Sequence, residues 1–523
     1  MKKNPNLLWI AVIVLGWLFD FLFWKQSFGI NFAIFIILCL MGGFFILRLD
    51  HKRPARATLW LIPLILIFAA ITFIRAEPMT VFLGILFTFF LMGVLAVTFL
   101  GGRWMEYSFA DYFAGFFKLI GSMLARPISF SLEVRRERLE SGIPAKRLNL
   151  WPIVRGILIA LPIVAIFAAL LASADTIFGN QLNSFLKLFF NLNTFPEYIF
   201  RLIYILFIAY ILAGTFLHSA SKSQDEKLQG EDKPILSQFL GFTETAIVLG
   251  SVIILFAAFV IVQFRYFFGG QANLGVGGLT DSEYARRGFG ELAAVAFLSL
   301  LMVVGLGTIT RRETAAQKGA YSGLSVVLVA LVMVILISAY QRLTLNELAH
   351  GFFRLRTYSH VFYIWLALLL VAVVVLEILH RERAFALAAV IASLGFAISL
   401  SLLNVDGFTA QQSILRAQQG KYLNVPDLAA LSTDSVPVLV NEFLSPALPV
   451  SIHEEIGAIL LCRKSYNSTQ STHDWRSFDL SQWMAENAMK QAQTGLSAYS
   501  LIKTNTWFYH VRTPSNVVYQ CQS

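Results

Sequence analysis

Charge is scarce in this chain. Only 14% of its 523 residues are Asp, Glu, Lys or Arg, where soluble domains carry about 25%. So little charge excludes the usual polar coat of a globular protein. With a hydrophobic fraction of 57% and a mean hydropathy of +0.68, the chain must hide its apolar surface in lipid. Cysteine is nearly absent, at three residues. Gly-x-Ser-x-Gly and His-Glu-x-x-His do not occur, so two common marks of hydrolytic chemistry are missing. Gly269–Gly278 is rich in glycine but lacks the Gly-Lys-Ser/Thr ending of a phosphate loop and follows no strand; it reads as a connector.

What the chain has is long apolar runs. A helix rising 1.5 Å per residue needs about 20 residues to cross the hydrocarbon. Eleven stretches qualify: 7–24, 28–47, 59–74, 79–100, 150–172, 195–217, 239–264, 291–309, 321–339, 361–379 and 385–403. The third is short and carries Pro63, which predicts a tilt or kink. The segment 104–124 is aromatic but interrupted by Glu106, Asp111 and Lys118, and reads as an interfacial amphipathic helix. Met1-Lys2-Lys3 and the following run lack a small-residue cleavage site, so the run is the first membrane helix, retained.

The net charge of +10 lies wholly in this apolar part, because residues from Asn404 onward hold about 8 bases and 9 acids. With the N-terminus in the cytoplasm, cytoplasmic loops carry about 22 Lys and Arg and the opposite loops about 9. The basic excess therefore sets topology and needs no nucleic acid. Cytoplasmic bases among residues 133–147 could also touch anionic lipid. Eleven spans put the C-terminus outside.

The expected fold class is an all-α polytopic membrane protein of about eleven helices, with a small α+β extracytoplasmic C-terminal domain. Its regions are 1–149, a four-helix membrane part with a basic amphipathic segment; 150–403, a core of about seven helices; and 404–523, the outer domain. Within the last, helices are expected near 406–419, 424–431, 435–443, 452–462 and 481–493, and a hairpin pairs 507–511 with 517–519 across Pro514-Ser515-Asn516. Cys39 is an apolar filler inside a span. Cys462 and Cys521 either form a bridge in an oxidising compartment or remain two thiols in an intracellular domain.

Charged groups at membrane spans are costly and mark candidate sites. Asp175, Arg201, Arg265, Tyr266, Tyr284, Arg286, Arg287, Glu291, Arg342, Asn404 and Asp406 all fall at the outer ends of spans in this topology. Arg287 and Glu291 are i, i+4 neighbours and can pair. Arg286 then faces another partner, with Asp175 and Asp406 as choices. Such a cluster is either a structural ion-pair network, the stronger reading, or an anion site built on arginine forks. Glu347 and His350, with His360 downstream, have metal-like spacing but too few ligands; no cofactor is expected.

The stretches Ala172–Phe178, Arg265–Gly270 and Tyr284–Leu292 resemble a family of bacterial multi-pass membrane proteins known only as a domain of unknown function, the 4153/4173 type. Weaker matches run through 340–358 and 403–406, so the resemblance covers about Leu150 to Val440. After Asp406 the family pattern implies a second arginine-bearing helix, where this chain has Gln411-Gln412. The resemblance implies a bacterial cytoplasmic membrane location and makes the outer cluster characteristic, without supplying an activity.

Three functions compete. An envelope sensor or assembly scaffold leads, with an anionic ligand or an envelope protein as partner besides the bilayer. A transporter of a small or anionic solute would show inverted repeats and midplane polar residues, and neither is evident. A membrane enzyme acting on a lipid-linked phosphate lacks a catalytic motif, and the balance leans away from an enzyme.

Overall fold

A computed structural model describes residues 5–140, scattered positions from 160 to 181, 195–224, 228, 238–268, 289–381, 383–467, 474–503 and 509–521. Helices dominate because apolar runs in lipid must satisfy their backbone internally. Among the described residues they are α1 (Pro5–Phe23), α2 (Ile30–Leu49), α3 (Leu61–Ile74), α4 (Pro78–Thr98), α5 (Phe109–Glu140), α6 (Phe195–Ser221), α7 (Phe242–Phe268), α8 (Phe289–Ile309), α9 (Ala315–His350), α10 (Arg354–Ile378) and α11 (Ala384–Leu403). All but α5 are long and apolar enough to cross a membrane, α3 together with the turn Arg56–Leu59 before it; these ten coincide with ten of the expected spans. Of the eleventh, 150–172, only scattered positions are among the described residues. The helix breaks at Trp60, three residues before Pro63, whose missing N–H cannot bond the Leu59 carbonyl, and Pro63 sits in the first turn of α3. The amphipathic segment expected at 104–124 becomes the much longer α5, which continues through Pro127.

The chain divides into two compact units that cut across the expected 1–149 region. The first holds 1–25, 37–53 and 117–223. Its core joins Leu8, Val12 and Leu15 of α1 to Ala209, Ala213 and Phe216 of α6. Small residues let these backbones approach: a Cβ on Gly16 would lie 2.6 Å from the Ile205 carbonyl oxygen. The second unit holds 26–36, 54–116 and 224–523. There α7 to α10 share a core around Leu249, Ala296, Tyr321, Val332 and Leu366, while α3 packs on α4 and α10 on α11.

After α11 the chain turns polar and builds the C-terminal domain: α12 (Val405–Gln418), α13 (Val425–Ala429), α14 (Val436–Phe443), α15 (Val450–Asn467), α16 (Leu480–Leu496) and strands β1 (Ser500–Lys503), β2 (Tyr509–Arg512) and β3 (Val518–Gln520). The expected hairpin is present as β2–β3, with Val511 opposite Tyr519, and β1 adds a third antiparallel strand, Leu501 opposite Val511. The domain has its own core, in which Ile414, Leu439, Ile456, Ile459, Val511 and both Cys462 and Cys521 are buried. These two cysteines are bridged, 5.5 Å apart at Cα, so of the two alternatives the structure holds the disulfide. Cys39 is free and buried.

Candidate functional site

The site begins where α3 ends. Arg75 is extended, and Glu77-Pro78 starts α4: the Glu77 carboxylate accepts from Met79 N at 2.9 Å and Thr80 N at 2.7 Å, and Pro78 occupies a position that needs no donor. The Tyr358 hydroxyl of α10 donates to the Glu77 oxygen that Met79 also uses. Glu77 is 2% exposed, so every one of these donors matters.

Asp434 reaches this turn from the C-terminal domain. Its Oδ2 accepts from the backbone N–H groups of both Ala76 and Glu77, each at 2.9 Å. Arg75 lies alongside, with Nη1 3.9 Å from Asp434 Oδ1 and Nε donating to the Ser401 carbonyl at 2.8 Å. A carboxylate that ends α3 and starts α4 from another layer is an effective fastener, because both N–H groups would otherwise be orphaned.

The junction between α11 and α12 supplies the second half. Asn404 takes the left-handed conformation at φ 51° that asparagine tolerates, caps α12 by accepting from Gly407 N, and donates through Nδ2 to the Asp434 carbonyl at 3.3 Å. Two residues on, fully buried Asp406 receives the Arg354 fork, Nε to Oδ1 at 2.6 Å and Nη2 to Oδ2 at 2.7 Å. Ser432 N also donates to Oδ2, at 2.5 Å. Arg463 of α15 closes the far side, its Nη1 donating to the carbonyls of Ala429 and Leu431. Burial pushes the Arg463 guanidinium down to about 10, with Asp406 countering, so it stays charged at neutral pH. The whole is a buried network of Arg75, Glu77, Arg354, Tyr358, Asp406, Asp434 and Arg463 that binds the domain to three helix junctions.

Of the expected cluster, Asn404 and Asp406 belong to this network. Arg342 does not: it is buried between α9 and α7, donating to Gln263 Oε1 at 2.8 Å. Arg201 belongs to the first unit, where it pairs with Asp20 at 2.6 Å. Glu291 lies in the first turn of α8. Arg265 and Tyr266 fall in the last turn of α7, with side chains outside the described residues. Asp175, Tyr284, Arg286 and Arg287 also lie outside them, and with them the pairing of Arg287 with Glu291. Asp406 is engaged by Arg354 and Ser432, and whether Arg286 faces it lies outside the described residues. Glu347 pairs with His360 at 2.7 Å. Among the described residues no three metal-ligating side chains converge.

The network runs from the turn before α4 to α15, and that span is informative. A family model for a domain of unknown function, DUF4153, matches residues 61–442. The chain belongs to this family. The DUF4153 match starts at the first residue of α3 and ends within α14. It reaches further toward the N-terminus than the resemblance from Leu150, and so includes Arg75 and Glu77 with Arg354, Asp406 and Asp434. Arg463 and the disulfide lie beyond it. No curated protein and no solved structure matches the chain.

Proposed function

We propose that this integral membrane protein is an envelope sensor or assembly scaffold of a bacterial cytoplasmic membrane, in which the C-terminal domain, outside the cytoplasm, is coupled to the helix ends it rests on. The observation that carries the reading is the hold of Asp434 on the α3–α4 turn and of Asp406 on Arg354, because one rigid body grips several helices through groups that cannot be left unpaired. A signal or partner bound to the domain would then bias those helices together.

Parity supports the topology. The α1–α2 loop also meets the domain, with Ile30 N donating to the Phe478 carbonyl at 2.9 Å. This loop and the start of α10 therefore share one side, which requires an even number of crossings between them. Seven of the ten described spans intervene, α2 to α4 and α6 to α9. One more crossing between α4 and α6 makes the count even, and the sequence offers 150–172 for it. A phosphatase reporter fused after Ser523 should be active, as it is only outside the cytoplasm; an inactive fusion of full expression rejects this sidedness. For coupling, Asp434→Ala should reproduce the envelope phenotype of a truncation after Asn404, whereas full complementation by Asp434→Ala rejects the reading.

A second reading, a transporter of a small or anionic solute, draws support from Gln263, Ser338 and Arg342, which are buried and hydrogen-bonded between α7 and α9.

A further inference from the structure

The C-terminal domain buries a core of its own, yet the short stretch 475–484, which ends in the first turn of α16, shows large apolar side chains. Trp475 is 59% exposed, Trp483 53% and Met484 47%, with Phe478 between them partly exposed. We infer that this stretch is a foot that inserts into the headgroup layer of the leaflet on the domain's own side of the membrane. The inference depends neither on which side that is nor on any signalling by the domain.

Three observations carry it. First, the stretch is fixed at the level where spans begin and end. Ile30, the first residue of α2, donates its N–H to the Phe478 carbonyl at 2.9 Å. Gln26 donates to Asp474 Oδ2 at 3.3 Å and accepts from the Ser477 hydroxyl at 3.1 Å. The approach is close, since a Cβ on Gly29 would lie 2.7 Å from the same Phe478 oxygen. On α16, Ser481 shares a 2.8 Å hydrogen bond with Thr433, the neighbour of the Asp434 that takes the N–H groups between α3 and α4. Second, the exposed apolar surface continues onto a span. Phe28, in the same α1–α2 loop, is 55% exposed and meets Phe32 of α2 edge-on. Tryptophan at a span end suits the membrane–water interface, where its ring meets apolar surface and its N–H meets water. Third, charge does not account for the contact. Asp474 pairs with Arg476, Nε to Oδ2 at 2.9 Å, and Asp479 caps α16 by accepting from Gln482 N at 3.0 Å. With one base against these two acids, 474–484 has no attraction for anionic headgroups, so its exposed rings must hold it there. A protein partner would have to displace lipid at the same level to reach them.

The test is spin-label accessibility in the full-length protein, reconstituted in phosphatidylcholine vesicles. Cys39→Ala removes the free thiol, the bridged pair does not react, and single labels follow from Trp475→Cys, Trp483→Cys, Phe28→Cys and Lys490→Cys. Each replaces an exposed side chain, and Phe28 reports from a different element should a domain variant fail to fold. Labels at 475, 483 and 28 should be broadened more by oxygen, which concentrates in lipid, than by a neutral nickel chelate, which stays in water. Their oxygen-to-nickel ratio should be severalfold above that at 490, farther along α16. The same ratios in detergent-free phosphatidylcholine and in vesicles with added phosphatidylglycerol support an apolar contact. A ratio at 475 and 483 equal to that at 490, with nickel broadening all three, overturns the proposal. So does protection of 475 and 483 from both reagents, which would mean that protein, a second copy included, covers the rings instead of lipid.

Discussion

At Asp406 a single carboxylate with no exposed surface accepts three donors, two of them from one guanidinium. Removing one member of such a pair strands the other, which typically costs about 3–5 kcal/mol, while replacing both by apolar groups costs far less. Arg354→Met and Asp406→Leu should therefore each lower stability by several kcal/mol in denaturant unfolding. The double variant should recover more than half of either loss, and additive losses would mean that the two residues act separately. Asp406 was legible in the sequence, because an acid at the end of an apolar span stands out. Its partner was not. Arg354 looked like an ordinary loop arginine, since nothing in linear order shows that α10 starts at that residue. Glu77 and Asp434 were missed for a related reason: each acts by capping backbone N–H groups, and that role depends on which turn comes near. Only the Glu77-Pro78 pair carried a local sign, an acid followed by proline at a helix start.

At the scale of the elements, close packing is set by small residues. On α11, a Cβ at Gly395 would lie 2.1 Å from the Trp365 ring of α10, and that ring is fixed by a 3.0 Å hydrogen bond from its Nε1 to Ser399. Gly395→Ala should destabilise the helix pair by about 1–3 kcal/mol, as overpacking does. Adding Trp365→Leu should restore most of it, and failure of that rescue would remove the clash as the cause. In the C-terminal domain, Glu454 of α15 accepts from the N–H and hydroxyl of Ser515 in the β2–β3 turn. Burial alone would raise its carboxyl, but Ser515, Thr513 and the nearby His453 together outweigh it and hold the group below its ordinary value of 4.5. A depressed acid contributes stability that is present above the unfolded pKa and lost as pH falls through the folded one. Wild type should thus exceed Glu454→Gln in stability at pH 7, with the gap closing below about pH 4.5; a gap unchanged by acid would locate the effect in packing. Spans and amphipathic helices were readable from period and length, as was the β2–β3 turn. β1 was not, because its four residues pair with a strand six positions away and carry no turn signal between them that marks the register.

At the scale of the whole molecule, the disulfide fits the proposed sidedness. Bridges persist in oxidising compartments, which is where the topology proposed from the positive-inside count would place the C-terminal domain. Cys462 and Cys521 are 59 positions apart, so their bond closes the second half of the domain into one loop and restricts the unfolded chain by about 4 kcal/mol in the chain-entropy account. Both sulfurs are buried, hence the bond is protected until the domain opens. The protein has three cysteines, and Cys39 is the free one. Cells denatured directly in a thiol-reactive label should therefore give a protein carrying one label without reductant and three with it. Cys521→Ser should carry two labels in either condition and unfold at lower denaturant. Three labels on the wild type without reductant would mean that the domain is kept reduced. The sidedness would then reverse for the domain and the loops resting on it alike, while the even crossing count between those loops would stand, because it depends only on their sharing a side.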